Sequence, residues 1–349
     1  MKKAGRWRVE RGAFRPRGVR WEPFEPGSTN RLWRGRGPSG DWLLKWYRHP
    51  LPGVHPEPEV GRFLWEHGFR GVPEFGARLD RVGAGGFETV AYIQRWVAGR
   101  AAWDVAVEAF RAGDCLARWA RGLGRRVGAL HAALAGADAT AHPAFATVSC
   151  SVELHGSWVA RVRSVCERLA DVLRSPPSGV PAAELEEARA LWIGGEVGWR
   201  KRLELLGSLG VSAICSRVHG DLHLGQILQG GGNRESAAPE EESEWWVVDF
   251  EGEPLRSLAE RREPGLPLRD VAGMWRSFAY AAATAGVPAE KAVPPREAFM
   301  EGWAERMPLP EGDWRALFEA LVWEKTVYEA LYELEHRPGW FWIPLRALA

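Results

Sequence analysis

Two short segments carry the side-chain types that phosphoryl transfer requires. The first is Val218-His219-Gly220-Asp221-Leu222-His223-Leu224-Gly225-Gln226; the second is Trp245-Trp246-Val247-Val248-Asp249-Phe250-Glu251-Gly252. Transfer from ATP needs a carboxylate beside the incoming hydroxyl, to orient it and accept its proton. It also needs hard oxygen ligands that hold Mg²⁺ against the phosphates. Asp221 on a loop, the amide carbonyl of Gln226 shortly after it and Asp249 at a strand end supply these parts in that order. Each alone reads equally well as a turn or a strand end; their combination is what points to this chemistry.

A second group lies upstream. Only six of the 46 basic residues are Lys, and one of them, Lys45, falls inside the apolar run DWLLKWY. An ammonium there needs solvent or an anionic partner. Glu59, near the start of the next helix, is the expected partner, with Glu57 and Glu66 as competitors. A strand Lys paired with a helix Glu is the arrangement that holds the α- and β-phosphates in kinases. Gly27-Ser28-Thr29-Asn30 is the candidate phosphate-covering turn, through small side chains and free backbone N–H groups.

The elements that must position these residues follow from periodicity and punctuation. Residues 41–47 read as a strand with Leu43, Lys45 and Tyr47 on one side. Residues 58–67 read as a helix, with Pro58 in its first turn and Gly68 after it. Strands are expected near 74–80 and 87–97. Beyond Val97 the period turns helical, over 104–134, 151–174, much of 181–207, and again over about 270–284, 295–306 and 313–336. A short strand before His219 and another at 245–250 interrupt the helices, separated by a polar, exposed stretch at 230–244. The chain therefore divides into an arm at 1–26, a strand-rich lobe at 27–97 and a mainly helical lobe at 98–349, an α+β architecture.

Composition narrows the function classes. The 349 residues carry 46 Lys+Arg against 45 Asp+Glu, a formal net charge of +1, which argues against a nucleic-acid or polybasic membrane partner. Cys115, Cys150, Cys166 and Cys215 show no CxxC spacing, so neither a zinc site nor a redox motif is indicated. The basic N-terminus has no apolar run after it, and no stretch approaches a membrane span. The expected compartment is the cytoplasm.

The HGDLHLGQ segment resembles the catalytic loop of aminoglycoside phosphotransferase-like kinases. The run DFEGEPLRSLAERREPGLPLRDVAGMWRSFAY from Asp249, the tail EKTVYEALYELEHRPGWFWIPLRAL from Glu324 and LLKWYRHPLPGVHPEPEVGRFLWEHGF from Leu43 are similar to bacterial maltokinases. The resemblance spans about residues 25–348. It implies a bilobal protein-kinase-like fold, with a small antiparallel-sheet lobe and a large helical one. It further implies ATP- and Mg²⁺-dependent phosphorylation of maltose at its anomeric hydroxyl, to maltose 1-phosphate for α-glucan (glycogen) synthesis. On the same ground Asp221 is the catalytic base, Gln226 and Asp249 are metal ligands, and Lys45 with Glu59 serves the nucleotide. Gln94 to Val97, including Trp96, form the adenine hinge. Trehalose synthase is an implied partner. The N-terminal cap common in maltokinases is much reduced here.

The C-terminal helix suggests where a sugar sits. Lys325, Tyr328, Glu329 and Tyr332 share one face at i, i+3, i+4 and i+7. One cation, two phenols and a carboxylate can bond several hydroxyls; a solvated helix face with Lys–Glu pairing is the plain alternative. His223, Glu251 and Arg269 are further substrate candidates, with Glu251 open between the metal and the sugar, and Asp270 reads as a helix N-cap. A kinase of a related small acceptor, glucosamine or an aminoglycoside, remains the alternative, because Glu329, Glu333 and Glu335 can face ammonium groups. A non-catalytic pseudokinase is disfavoured by the complete Lys45, Asp221, Gln226 and Asp249 set.

Overall fold

The structure, a computed structural model, describes residues 6–24, 30–208, 213–230 and 245–348. Its first part runs β1 (Arg6–Arg11), β2 (Arg20–Phe24), β3 (Arg31–Gly37), β4 (Gly40–Trp46), α1 (Pro56–Glu66), β5 (Phe75–Gly83) and β6 (Gly86–Arg95). The strands form one antiparallel sheet in the order β1-β5-β6-β4-β3-β2. The N-terminal arm is thus no separate layer: it supplies both edges of the sheet. Charged side chains on β1 suit an edge, and Arg8 reaches back to the fully buried Asp80. Strand β3 has no sequence signal of its own. RLWRGRG lacks an apolar run, and its place is set by pairing with β2 on one side and β4 on the other.

Residues 96–98 lead into the second lobe. It contains β7 (Gly99–Ala101), α2 (Ala102–Ala112), α3 (Ala117–Ala135), β8 (Val148–Ser149), α4 (Val152–Arg174), α5 (Ala182–Arg189) and α6 (Glu196–Ser208). Then come β9 (Ile214–Cys215), β10 (Ile227–Gly230), β11 (Trp245–Val247), α7 (Leu268–Ala285), α8 (Val293–Ala304), α9 (Trp314–His336) and α10 (Trp342–Leu348). The α+β, two-lobed architecture expected from the sequence is what is observed. The helical stretch expected over 104–134 is two helices, because Gly113, at φ 78°, ends α2 in the left-handed region. No helix among the described residues is long and apolar enough to cross a membrane.

The helical core is arranged so that α3 and α8 touch backbone to backbone. A Cβ built on Gly124 of α3 would meet Phe299 O at 2.1 Å, and one on Gly302 of α8 would meet Arg121 O at 2.1 Å. Only glycine permits that approach. It brings the next side chain of α8, Trp303, onto His131 of α3, and both are buried in the centre of the lobe. Gly302→Ala must push the two helices apart; the expected result is a loss of about 1–3 kcal/mol, read as a lower urea midpoint with unchanged m value.

Candidate active site

The loop between β9 and β10 carries Asp221, and a buried carboxylate holds its backbone. Asp270, in the first turn of α7, accepts hydrogen bonds from His219 N at 2.7 Å, Gly220 N at 2.9 Å and His131 Nε2 at 2.9 Å. Trp303 Nε1 donates to His131 Nδ1 at 2.8 Å, which places the imidazole proton on Nε2, toward Asp270. Burial would raise the Asp270 carboxyl; these donors outweigh it and hold the group below its ordinary value. Asp270 is therefore the anchor of the catalytic loop rather than a helix N-cap; α7 already begins at Leu268. His219 adds a second tie, from Nε2 to Val248 O at 2.9 Å, which joins the loop to the strand leading to Asp249.

Around Lys45 the structure corrects the expected pairing. Lys45 Nζ contacts Glu57 at 3.0 Å and also Asp249 and Glu251. Glu59 points elsewhere: it accepts from Arg217 at 3.0 Å and Arg262 at 2.6 Å, two side chains of the helical lobe. Helix α1 starts at Pro56, ahead of the expected residue 58. Two positions along a helix turn a side chain through about 200°, so Glu57 faces the lysine and Glu59 the other lobe. Tyr47 OH donates to Glu57 at 2.6 Å, fixing it further. Asn30 Nδ2 donates to Glu251 at 2.8 Å. Ser28 and Thr29, its neighbours in the expected phosphate turn, lie outside the described residues. Gln94 is a buried residue of β6, and Trp96 and Val97 lie in the link between the lobes, with Trp96 against Phe24 at 4.9 Å.

The charge of this cluster fits a divalent cation. Glu57, Asp249 and Glu251 each place a carboxylate oxygen within 4.8 Å of the others, against one ammonium. Burial works to lower the Lys45 pKa, yet the three carboxylates hold it well above the ordinary lysine value. Burial pushes Glu57 up to about 7 against the pull of Lys45. For Asp249 the balance reverses: burial is outweighed by Lys45 and by hydrogen bonds, and the pKa falls to about 2. Asp249 sits at φ 67°, a left-handed conformation rare outside glycine, which aims its carboxylate into the cluster. Gln226 Nε2 donates to Asp249 Oδ2 at 3.0 Å, leaving the amide oxygen as a hard donor.

Beside Asp221 opens a cavity of 460 Å³ between α7 and α9. Of the expected substrate residues, His223, Lys325, Tyr328, Glu329 and Tyr332 line it. Lys325 is committed, however: its Nζ donates to Asp221 at 3.1 Å and to Glu253 at 2.8 Å. It fixes the Asp221 carboxylate rather than standing free for a sugar. Arg269 does not line the cavity and donates to Glu324 at 2.8 Å. Glu251 belongs to the Lys45 cluster. Sequence reading missed Glu253, which is 3% exposed. Burial would raise its carboxyl, but Lys325, Arg256 and Arg269 hold it far below the ordinary range. The acid two positions beyond Glu251 was the available signal. Glu333, considered only for an amino-sugar acceptor, also lines the cavity.

The two α1 carboxylates separate by experiment. Glu57→Gln raises the KM for MgATP about tenfold or more, since it removes the helix-side support of Lys45. Glu59→Gln leaves that KM nearly unchanged but strips Arg217, 1% exposed, of its carboxylate. Its expected cost is about 3–5 kcal/mol in urea unfolding.

No protein-family model matches the chain. A glucosamine kinase of Mycolicibacterium smegmatis is 28% identical over 330 residues, covering 88% of this chain and 74% of that protein. A glucosamine kinase of Streptacidiphilus jiangxiensis is 29% identical over 287 residues, 73% of this chain, which spans 55% of that relative. Among solved structures, a glucosamine kinase in complex with glucosamine, ADP and inorganic phosphate superposes with a TM-score of 0.73 at 20% identity, over 98% of this chain and 81% of that one. The two lobes, the sheet and the helical half together have the protein-kinase-like fold of the aminoglycoside phosphotransferase type.

Proposed function

We propose that the protein transfers the γ-phosphoryl group of ATP to a hydroxyl of an amino sugar, with glucosamine as acceptor. The observation that carries this reading is a pair of unsatisfied polar atoms in the cavity beside Asp221. Glu329 and Glu333 line it together with Lys325 and Arg337; Glu333 Oε1 is taken by Arg337 at 2.6 Å, but Glu333 Oε2 and Tyr328 OH are buried without a hydrogen-bond partner. A buried carboxylate oxygen left open calls for a cationic donor, and an ammonium group supplies one. The glucosamine kinases among the relatives support the same acceptor.

In this reading Asp221 orients the hydroxyl and takes its proton as the oxygen attacks the γ-phosphorus. The bond to the β-phosphate oxygen breaks and ADP leaves. Lys45, backed by Glu57, holds the phosphates, and residues 94–97 hold the adenine. Lys325 keeps Asp221 in one orientation and sets a cation beside the incoming charge. His223, whose pKa burial lowers, faces the acceptor as a neutral ring. Asp249 and Gln226 would hold Mg²⁺, which would supply charge neutralisation at the phosphates.

Maltose is the second reading, carried by the resemblance of the segments from Asp249 and Glu324. The named relatives favour the amino sugar over it, and they lend no support to a trehalose synthase partner or a role in glycogen synthesis.

ADP release with MgATP and glucosamine, glucose, maltose, trehalose or kanamycin tests the assignment. Glucosamine is expected to exceed maltose in kcat/KM by about tenfold or more. Glu333→Gln should raise the glucosamine KM about tenfold with little change in kcat, and Asp221→Asn should lower kcat by about 10³. Preference for maltose would overturn the amino-sugar assignment. Absence of turnover with every acceptor, by protein that binds MgATP, would make it a pseudokinase.

A further inference from the structure

A second cavity, of 1090 Å³, lies outside the catalytic cleft between α7, α8, α9 and α10. The α7–α9 seam separates it from the acceptor pocket. Its walls combine Trp275, Trp314, Trp342 and Phe318 with guanidinium groups. Arg296 lies over Trp275 at 5.4 Å, Arg315 over Trp314 at 4.7 Å and Arg346 over Trp342 at 4.8 Å.

One of the cations has no carboxylate partner among the described residues, and another keeps an unpartnered nitrogen. Arg296 is half-buried, donates from Nε to Trp275 O at 2.8 Å, and has no carboxylate within ion-pair distance among the described residues. Burial and the neighbouring Arg276 lower its pKa to about 10. Arg276 is 3% exposed and spends its Nε on Glu329 at 2.7 Å, while its Nη2 is buried with no partner. A half-buried guanidinium beside a buried one that keeps an unpaired nitrogen is an incomplete arrangement that an anion completes. The flat indole faces suit the C–H face of a sugar ring. Glu297, Glu301 and Glu319 also line the cavity; they accept hydroxyl donors and oppose a polyanion such as nucleic acid.

We propose that this cavity is a non-catalytic binding site for a phosphorylated sugar, with Arg296 and Arg276 taking the phosphate and the tryptophans the ring. The proposal is independent of the acceptor assigned above. Because Arg276 also holds Glu329, a lining residue of the acceptor pocket, the ligand sits one side chain away from that pocket.

Titration calorimetry with glucose 6-phosphate as the probe, on the full chain without nucleotide, tests it. The expected result is one saturable site with a Kd of about 1 mM or tighter. Arg296→Gln and Trp342→Ala should each weaken binding about tenfold, with circular dichroism melts showing both variants folded. Inorganic phosphate should bind about tenfold more weakly than the probe, and saturating glucosamine with ADP should not displace it. Absence of heat up to about 10 mM, binding unchanged in both folded variants, equal affinity for phosphate, or displacement by glucosamine and ADP would each overturn the proposal.

Discussion

The arrangement around Asp221 depends on a buried carboxylate on another element. Asp270 is buried, and its two oxygens collect the backbone N–H groups of His219 and Gly220 and the imidazole of His131. Leaving such a charge unpaired in the interior would be costly, so the loop conformation that satisfies it is strongly selected. The chain of dependence runs outward. Trp303 fixes His131 through its free nitrogen, and the glycines of α3 and α8 let Trp303 come close enough. The placement of Asp221 is thus decided by backbone contact between two helices in the centre of the lobe.

A second constraint is electrostatic. Three carboxylates crowd Lys45, and one ammonium cannot neutralise them. The opposite directions of the Glu57 and Asp249 pKa values express this imbalance: Asp249 is held ionised, and Glu57 is pushed towards its proton. An excess of carboxylate oxygens of this kind suits a divalent cation. It also explains why the conformation of Asp249, unfavourable for a residue with a Cβ, is tolerated.

Helix α9 ties the acceptor side to the same frame. Lys325 holds Asp221 and Glu253, Glu324 holds Arg269 and Arg256, and Glu329 holds Arg276 of α7. These buried or half-buried pairs fix the rotation of the helix about its axis. With that rotation set, Tyr328, Glu329, Tyr332 and Glu333 face a single pocket. The stripe recognised at 325, 328, 329 and 332 is real as a helix face, but the cation in it is bonded to Asp221.

The residues themselves display the candidate groups and their order along the chain. A carboxylate on a loop, an amide just after it, a carboxylate at a strand end and a lone Lys in an apolar strand are each legible within a short segment. The lobe boundary is equally local, because a change from period 2 to period 3.6 is visible in any short window. Tertiary structure decided the partners. Whether Glu57 or Glu59 meets Lys45 depends on where α1 starts, and each residue of phase turns the side chain by about 100°. The roles of Asp270 and Lys325 rest on contacts across dozens of positions, which no local pattern encodes. The strand β3 exists because neighbours pair with it on both sides. Pairing, phase and burial are properties of the packed chain, and they assigned each charged side chain its counter-charge.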